Sequence, residues 1–383
     1  MKAVKVRLYP NTEQKQIISS QIDGARYVYN RALALRKYAY QKFGIKIGKF
    51  ALINHITKLK KREKTLWLKE IDSQAIQQSI ANMDKAYQHF FKGGGYPKFK
   101  SKHHSRQSYQ YPQRVKIDGS RVFLPKVGWM KMRGFRKEFL GKIKTVTISY
   151  EAYQYHASIL IDIEKETVKP NNNINKAIGI DVGVSLMVAD SDGNKIKPLT
   201  LMRELKRLKI KAQQLSRKKK ASNNRAKAKA KLAKINLKIA NKRKDFLHKL
   251  SLQYAENQSI VVVEDLKIRN MTKSAKGTEE KPGKHVKQKA GLNRSISQQS
   301  WGMFFGLLAY KLAERGGQLI KVNPKHTSQT CNKCGHISKE NRKSQSKFEC
   351  MSCGYSENAD VNGAKNILVR GVHGNNASLK MAI

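Results

Sequence analysis

The four cysteines constrain the fold of this chain more than any other residues, because they form two Cys-x-x-Cys pairs with fifteen residues between the pairs. They are Cys331, Cys334, Cys350 and Cys353. Two such pairs supply four thiolates for tetrahedral zinc, and Gly335 and Gly354 follow them where the backbone must turn tightly. Buried free cysteines or a thioredoxin-like motif are the alternatives, and neither explains two pairs so close together. The spacing therefore predicts a zinc ribbon with one structural zinc ion, since four thiolates leave no open position for chemistry.

The second constraint is charge. The 383 residues include 78 Lys and Arg against 27 Asp and Glu, a formal net charge of +51. Solubility alone needs a net charge of only about 2–8 in a small domain. The apolar content of 39% is too high for a disordered polymer, and the length suggests two or three folded domains. A compact fold with this charge repels itself strongly unless a polyanion lies against it. We interpret this polyanion as nucleic acid.

A basic surface could instead coat an acidic membrane, but here the basic residues run through every segment rather than along one helix face. No stretch reaches the roughly 18 apolar residues of a membrane span. The chain begins with alternating apolar and charged residues and lacks the apolar core of a signal peptide. Because no cysteine remains for a disulfide framework, we expect a soluble, intracellular protein without a membrane partner.

The N-terminal half reads as a helical domain joined to a small β module. A strand over residues 1–10 precedes a helix that Asn11 or Thr12 can cap, and a second helix fits Ser73–Phe91, before three glycines at 93–95. Short strand patterns follow from about 96 to 168, at 121–124, 145–150 and 156–161. They predict an antiparallel barrel or sandwich completed by the N-terminal strand. Pro170–Asn173 has the composition of a linker.

The C-terminal half, from residue 174, alternates strand and helix signals and predicts an α/β domain. Strands are expected at 177–182 and 259–264, with a hairpin turning at 191–194. Residues 203–248 contain 18 Lys and Arg but only two acids, which predicts a pair of basic helices beside phosphates. The polar segment 267–295 is rich in Gly, Pro and Lys, which indicates a mobile segment and a candidate lid.

Three acids stand out in a chain with so few. Asp181 and Glu264 end predicted strands, and Asp360 precedes an apolar helix. Taken singly, they could start a turn, cap a loop or cap a helix. Together they describe carboxylates at one rim of an α/β sheet, where ligands usually bind. Such a set can hold two magnesium ions ~4 Å apart for phosphodiester hydrolysis. Asp190 and Asp192 fit a hairpin turn better than a metal site.

Several motifs, taken in order, resemble the TnpB family of insertion-sequence RNA-guided nucleases, related to the type V CRISPR effectors. They are Gly179-Ile180-Asp181-Val182-Gly183, Val263-Glu264-Asp265-Leu266, Thr327-Ser328-Gln329-Thr330-Cys331-Asn332-Lys333-Cys334-Gly335 and Asn358-Ala359-Asp360-Val361-Asn362-Gly363-Ala364. Family-like segments at 8–11, 96–102 and 291–296 extend the resemblance to nearly the whole chain. It implies that Asp181, Glu264 and Asp360 are the three catalytic residues.

The fold class that we expect is therefore multidomain, α+β and α/β. It combines a helical recognition domain over 11–95 with a β-barrel-like wedge module formed by 1–10 and 96–170. An RNase H-like RuvC domain follows over 171–383, in which basic helices at 203–250 and the zinc ribbon at 327–356 are inserted.

The resemblance also implies partners and a mechanism. A guide RNA transcribed from the element's end would pair with one strand of a double-stranded target, beside a short flanking motif. A separately encoded transposase is a further possible partner, and a prokaryotic cytosol the implied location, with the protein at the nucleoid when bound to DNA. One magnesium-dependent site would cut both strands in turn.

Candidate nucleic-acid contacts follow from side-chain chemistry. The glutamine face of the second helix can pair with adenine edges, although a solvated helix face is the alternative. We expect Tyr96, Lys98 and Lys100 to hold phosphate or RNA, and basic residues of the C-terminal half to line the heteroduplex channel. The glutamines are Gln74, Gln77 and Gln78, and the channel candidates are Arg217, Lys218, Lys219 and Arg294.

Two other functions stay open at this point. A nuclease-inactive guided relative would repress transcription by occupying DNA, but such a protein should have lost at least one of the three acids. A transposase or a junction-resolving enzyme could share RNase H-fold chemistry. The zinc ribbon and the helical N-terminal half favour the guided nuclease.

Overall fold

The computed structural model describes residues 1–103, 106–135, 141–162 and 176–374. The chain divides into two compact units, Met1–Glu166 with Lys211–Lys234, and Thr167–Ile210 with Ile235–Ile383. The predicted linker Pro170–Asn173 lies outside the described residues. Within the described part of the chain, no helix has the length and apolar character needed to cross a membrane.

The first unit begins with strand β1 (Lys2–Tyr9), followed by helices α1 (Thr12–Phe43), α2 (Lys49–Leu59) and α3 (Ser73–Phe91), with a 3-10 helix at Glu63–Lys69. Asn11 caps α1 as predicted: its Oδ1 accepts from the Gln14 backbone N–H at 2.8 Å, and Gln14 Oε1 accepts from the Asn11 N–H at 3.1 Å. Helix α3 has the predicted bounds, and it buries Ile76, Ile80 and Met83 against α1 and α2.

Six further strands complete the sheet of this unit. They are β2 (Arg106–Tyr111), β3 (Lys116–Asp118), β4 (Arg121–Leu124), β5 (Gly128–Arg133), β6 (Lys142–Glu151) and β7 (Gln154–Asp162). The order is β2-β6-β7-β1-β5-β4-β3, and every pair is antiparallel. The prediction that the N-terminal strand completes this sheet is therefore confirmed, since β1 lies between β7 and β5. Alternate residues of β1, such as Val6 and Leu8, point into the core.

The second unit has a five-stranded mixed sheet. Its strands are β8 (Ala177–Asp181), β9 (Val188–Asp190), β10 (Lys195–Ile196), β11 (Ile260–Glu264) and β12 (Gln318–Val322), in the order β10-β9-β8-β11-β12. Strands β8, β11 and β12 are parallel, whereas β9 and β10 turn back as the predicted hairpin. Asp190 belongs to that turn, because its carboxylate accepts from the N–H groups of Asp192 and Asn194.

Helices surround this sheet. They are α4 (Met202–Ser216), α5 (Asn223–Asn257), α6 (Ile268–Met271), α7 (Val286–Gln299), α8 (Trp301–Glu314) and α9 (Ala359–Gly374). Helices α4 and α5 confirm the predicted basic pair, and their adjoining ends, residues 211–234, group with the first unit. The segment 267–295, for which mobility was expected, contains α6 and most of α7. Asn293 ties α7 to the end of α6 by donating to the carbonyl of Thr272 at 3.0 Å.

Candidate active site

The three predicted carboxylates lie at one edge of the mixed sheet, where the charges of Glu264 and Asp360 act on Asp181. Strands β8 and β11 run parallel with Ile180 opposite Val263, so the next residues, Asp181 and Glu264, end neighbouring strands on the same edge. Asp360 lies in the first turn of α9, which packs directly on β8. Glycine in β8 permits this close packing, because a β-carbon on Gly179 would lie 2.1 Å from the Ala364 carbonyl oxygen of α9.

The electrostatics of this edge are those of carboxylates crowded together with little water. Burial, then the charges of Glu264 and Asp360, raise the pKa of Asp181 from 3.8 to about 7. Burial likewise raises the pKa of Glu264 and the pKa of Asp360. Of the described Lys and Arg residues, none lies within ion-pair distance of Asp181 or Glu264. The edge therefore combines three partly buried carboxylates, two of which have no ion-pair partner among the described residues.

Two partners of these acids were missed by the sequence reasoning. Thr327 Oγ1 donates to Glu264 Oε1 at 2.5 Å, which opposes the rise in the pKa of Glu264. Arg342 Nη2 donates to Asp360 Oδ1 at 3.2 Å, and this guanidinium similarly opposes the rise in the pKa of Asp360. Both residues flank or lie within the cysteine-containing segment, so they contact the acids only after that segment folds back. The Thr-Ser-Gln motif was the available signal for Thr327.

The four cysteines converge as predicted. Their sulfur atoms all lie within 4.8 Å of one another, with Cys331 and Cys350 buried and Cys334 and Cys353 exposed. Strands β13 (Lys347–Glu349) and β14 (Ser356–Asn358) form an antiparallel pair behind them. Four thiol sulfurs gathered at this separation fit one tetrahedral zinc ion.

The glutamine face of α3 is divided between solvent and a hydrogen-bond chain. Gln77 is exposed, and Gln78 Nε2 donates to Asn82 Oδ1 at 3.3 Å. Asn82 in turn donates to Gln110 of β2 at 2.9 Å. Gln74 is partly buried, and its Oε1 has no hydrogen-bond partner among the described residues.

The residues predicted near 96–100 differ in their exposure. Lys98 is exposed, whereas Lys100 is partly buried with its Nζ 4.1 Å from the centroid of the Tyr29 ring. Burial lowers the pKa of Lys100. Tyr96 is 44% exposed, and its hydroxyl lies 3.0 Å from the hydroxyl of Tyr87. Lys98 and part of the Tyr96 side chain are thus exposed, whereas Lys100 lies over an aromatic ring.

The basic candidates of the C-terminal half are all exposed. Arg217, Lys218 and Lys219 follow the end of α4, and Arg294 lies on α7. The first two help to line a groove of about 590 Å³ between α4 and α5, together with Lys211, Lys227 and Lys231. Arg225 closes the connection by donating to the carbonyls of Leu215 and Lys218 at 2.9 and 3.0 Å.

A carboxylate cluster at the rim of a mixed sheet, within so basic a chain, defines a nucleic-acid-processing class of protein, and comparisons with known proteins agree. Residues 301–367 match the family model described as "Cas12f1-like, TNB domain", and residues 158–275 match "Probable transposase". Residues 1–46 match "Helix-turn-helix domain", although here they form β1, the long helix α1 and a short connection.

Similar whole proteins define the family. The chain is 41% identical over 376 residues to "Putative RNA-guided DNA endonuclease InsQ" from Escherichia coli K12, covering 97% of this chain and 92% of that protein. It is 32% identical to "Putative RNA-guided DNA endonuclease" from Streptomyces pristinaespiralis, covering 97% and 89%. The fold resembles that of the Cas12f1 protein in a solved complex with sgRNA and target DNA, with a TM-score of 0.55 and 15% identity over 96% of this chain and 98% of that one. The chain belongs to the TnpB family.

Proposed function

We propose that this chain is an RNA-guided DNA endonuclease of a transposable element, which cuts double-stranded DNA beside a short flanking motif by metal-dependent phosphodiester hydrolysis. The observation that carries the proposal is the gathering of Asp181, Glu264 and Asp360 at one sheet edge, buried enough to raise the pKa of each. The sheet order β10-β9-β8-β11-β12, with one antiparallel hairpin and three parallel strands, supports an RNase H-like, RuvC-like assignment for this unit.

Two of the three acids, Asp181 and Glu264, have no ion-pair partner among the described residues, and magnesium would supply the missing positive charge. Mg²⁺ binds preferentially to carboxylate oxygens, and a cation would offset both the burial and the neighbouring charges that raise the pKa of Asp181 to about 7. Asp181, Glu264 and Asp360 would hold two ions. When bound, these ions supply Lewis acidity to a nucleophilic water and to the leaving oxygen of the phosphodiester. Arg342 brings a guanidinium that can also contact a phosphate of the bound strand.

The zinc ribbon has a structural role in this proposal. Four cysteine sulfurs within 4.8 Å of one another satisfy every coordination position of zinc, so this site offers none to substrate. Its contribution is to fix the polypeptide on both sides of the cysteines, which carries Thr327 and Arg342 to the acids.

Unit 1 offers a surface for the guide RNA at the end of α1. Between Asp23 and Glu63 the chain has eleven Lys and Arg and no acid. Four aromatic rings project from this stretch, each more than half exposed: Tyr38, Tyr40, Phe43 and Phe50. Exposed rings among positive charges favour stacking with unpaired bases rather than docking of an apolar protein. The groove between α4 and α5 offers five further cations for the phosphates of a heteroduplex.

The test is reconstitution. The chain is co-expressed with DNA that flanks its gene, and the retained RNA is sequenced. The ribonucleoprotein is then given Mg²⁺ and a plasmid library with a randomised motif beside a matched target. We expect guide-dependent cuts, abolished by Asp181→Ala and retained by Asp192→Ala, which changes an exposed aspartate of the hairpin turn. Cleavage without a retained RNA, or equal cleavage by Asp181→Ala, would contradict the proposal.

A further inference from the structure

One face of α9 holds the polypeptide that leads into the zinc ribbon. Asn362, Asn366 and Arg370 are spaced four residues apart, so they project from the same side of the helix. We call residues 323–330, between β12 and Cys331, the pre-ribbon loop. Its carbonyl groups accept hydrogen bonds from all three side chains.

The contacts of Asn366 are the most restrictive. Its Nδ2 donates to the carbonyls of Thr327 at 2.9 Å and Thr330 at 2.7 Å, and the residue is 6% exposed. Asn362 is fully buried, donates to the Thr330 carbonyl at 2.9 Å and accepts from the Asn332 N–H at 3.1 Å. A buried amide without hydrogen-bond partners is costly. Any movement of the loop away from α9 would break these bonds, so both asparagines hold the loop in place.

Two residues of the loop lead to functional groups. At one side the Thr327 hydroxyl donates to Glu264, and at the other Thr330 is followed at once by the zinc ligand Cys331. A continuous set of contacts therefore runs from the zinc site, through Thr330 and Asn366, to Thr327 and Glu264. Asn366 touches neither the acids nor a zinc ligand, yet it bonds to both carbonyls that bracket the loop's central turn.

We propose that Asn366 is a positioning residue that acts through Thr327, and that the pre-ribbon loop couples the zinc ribbon to the divalent-metal affinity of the cutting site. The inference rests on the proposed function, because it takes Glu264 as a metal ligand. Partners that orient a metal ligand typically change metal affinity about 10- to 100-fold when removed. A loop that served only to attach the ribbon would leave that affinity unchanged.

The experiment measures binding of Mn²⁺ to the full-length ribonucleoprotein by electron paramagnetic resonance, without target DNA. Each protein is also measured with Asp181→Asn added. The Mn²⁺ that this second protein binds, including the ions held by RNA, is subtracted from the first measurement. We expect Thr327→Val to weaken the Asp181-dependent Mn²⁺ binding by about 10-fold or more, with zinc content unchanged. Thr327→Ser keeps the hydroxyl and should stay close to the parent. Thr272→Val, whose hydroxyl bonds only to backbone carbonyls of α6, is the matched control.

Asn366→Leu tests the coupling itself. If Asn366 acts through Thr327, the double variant Asn366→Leu with Thr327→Val should bind Mn²⁺ no more weakly than the weaker single variant. Additive losses in the double variant, or parental Mn²⁺ binding by Thr327→Val, overturn the inference. If the parent itself shows no Asp181-dependent Mn²⁺ binding, the proposed function fails instead. Should Asn366→Leu not fold, Asn366→Ala takes its place in the double variant, because it also removes the amide that donates to the Thr327 and Thr330 carbonyls.

Discussion

Replacing Asp181 with asparagine should stabilise the folded chain at pH 8 in magnesium-free buffer, although the same change should abolish cleavage. The reason is burial at the sheet edge, together with the charges of Glu264 and Asp360, which raises the pKa of Asp181 from 3.8 to about 7. A difference of about three pKa units corresponds to about 4 kcal/mol against the ionised form, at about 1.4 kcal/mol per unit. Because Asp181 is only partly buried, water reduces this figure, and we take about 4 kcal/mol as an upper limit.

The effect has a defined pH dependence. Because the pKa of Asp181 is higher in the folded chain than in the unfolded chain, ionisation of Asp181 lowers the free energy of unfolding. This loss of stability reaches its full size above pH 7. Below pH 7 it falls by about 1.4 kcal/mol per pH unit, and it is absent near pH 4, where the unfolded chain is protonated too. Asparagine carries no such cost. The advantage of Asp181→Asn should therefore be largest at pH 8, smaller at pH 5.5 and absent near pH 4.

The assay is thermal unfolding of the second unit in parent and variant across this pH range, without chelators, since these would also remove zinc. In a unit of roughly 200 residues, 1 kcal/mol shifts the melting temperature by about 2–4 °C, so at pH 8 the variant should melt several degrees higher. Added Mg²⁺ should raise the melting temperature of the parent more than that of the variant. Asp192→Asn, an exposed change in the same unit, controls for charge alone. A pH-independent difference, or none at pH 8, would refute the reasoning.

Two further changes test the remaining sites. The double variant Cys331→Ser with Cys334→Ser should abolish zinc binding, measured by atomic absorption. It should also lower the yield of folded protein, because zinc binding contributes to folding there. Full zinc occupancy in this variant would disprove the ribbon assignment. Gln77→Ala should relax the flanking-motif preference, since one base-edge contact contributes about 1–3 kcal/mol of discrimination. Gln88→Ala, at the far end of α3, is its control, and an unchanged motif profile for Gln77→Ala would show that this face is only solvated.

The elements that the sequence predicts well are those with strong local signals. Helix α3 begins and ends where its apolar spacing and the Phe91–Gly93 break place it, and Asn11 caps α1 because Asn-x-x-Gln is a local motif. Helix α7 was harder to foresee. Its residues are polar without apolar periodicity, and long-range bonds hold it, such as that from Lys289 Nζ to the Met271 carbonyl.

The candidate site divides in the same way. The strand-end acids could be predicted because a carboxylate after a buried strand is visible in the sequence itself. Thr327 and Arg342 could not, because each reaches an acid that lies 63 or 18 residues away only when the zinc ribbon folds back onto the sheet. Lys100 is a further case: its contact with the Tyr29 ring, at 4.1 Å from the centroid, has no signal in the sequence, and its contact with phosphate or RNA stays a prediction.

The distribution of ion pairs gives the clearest physical reason to regard this edge as a cation site. The chain has 78 Lys and Arg for 27 acids, so an acid whose pKa is raised by burial could readily be stabilised by a basic side chain. Partners are found for acids as different as Asp84, with Arg36 at 2.6 Å, and Glu204, with Lys242. Among the described residues, Asp181 and Glu264 have no such partner although burial raises the pKa of each. A lysine at this edge would relieve the repulsion but would also compete with Mg²⁺ for the same carboxylate oxygens.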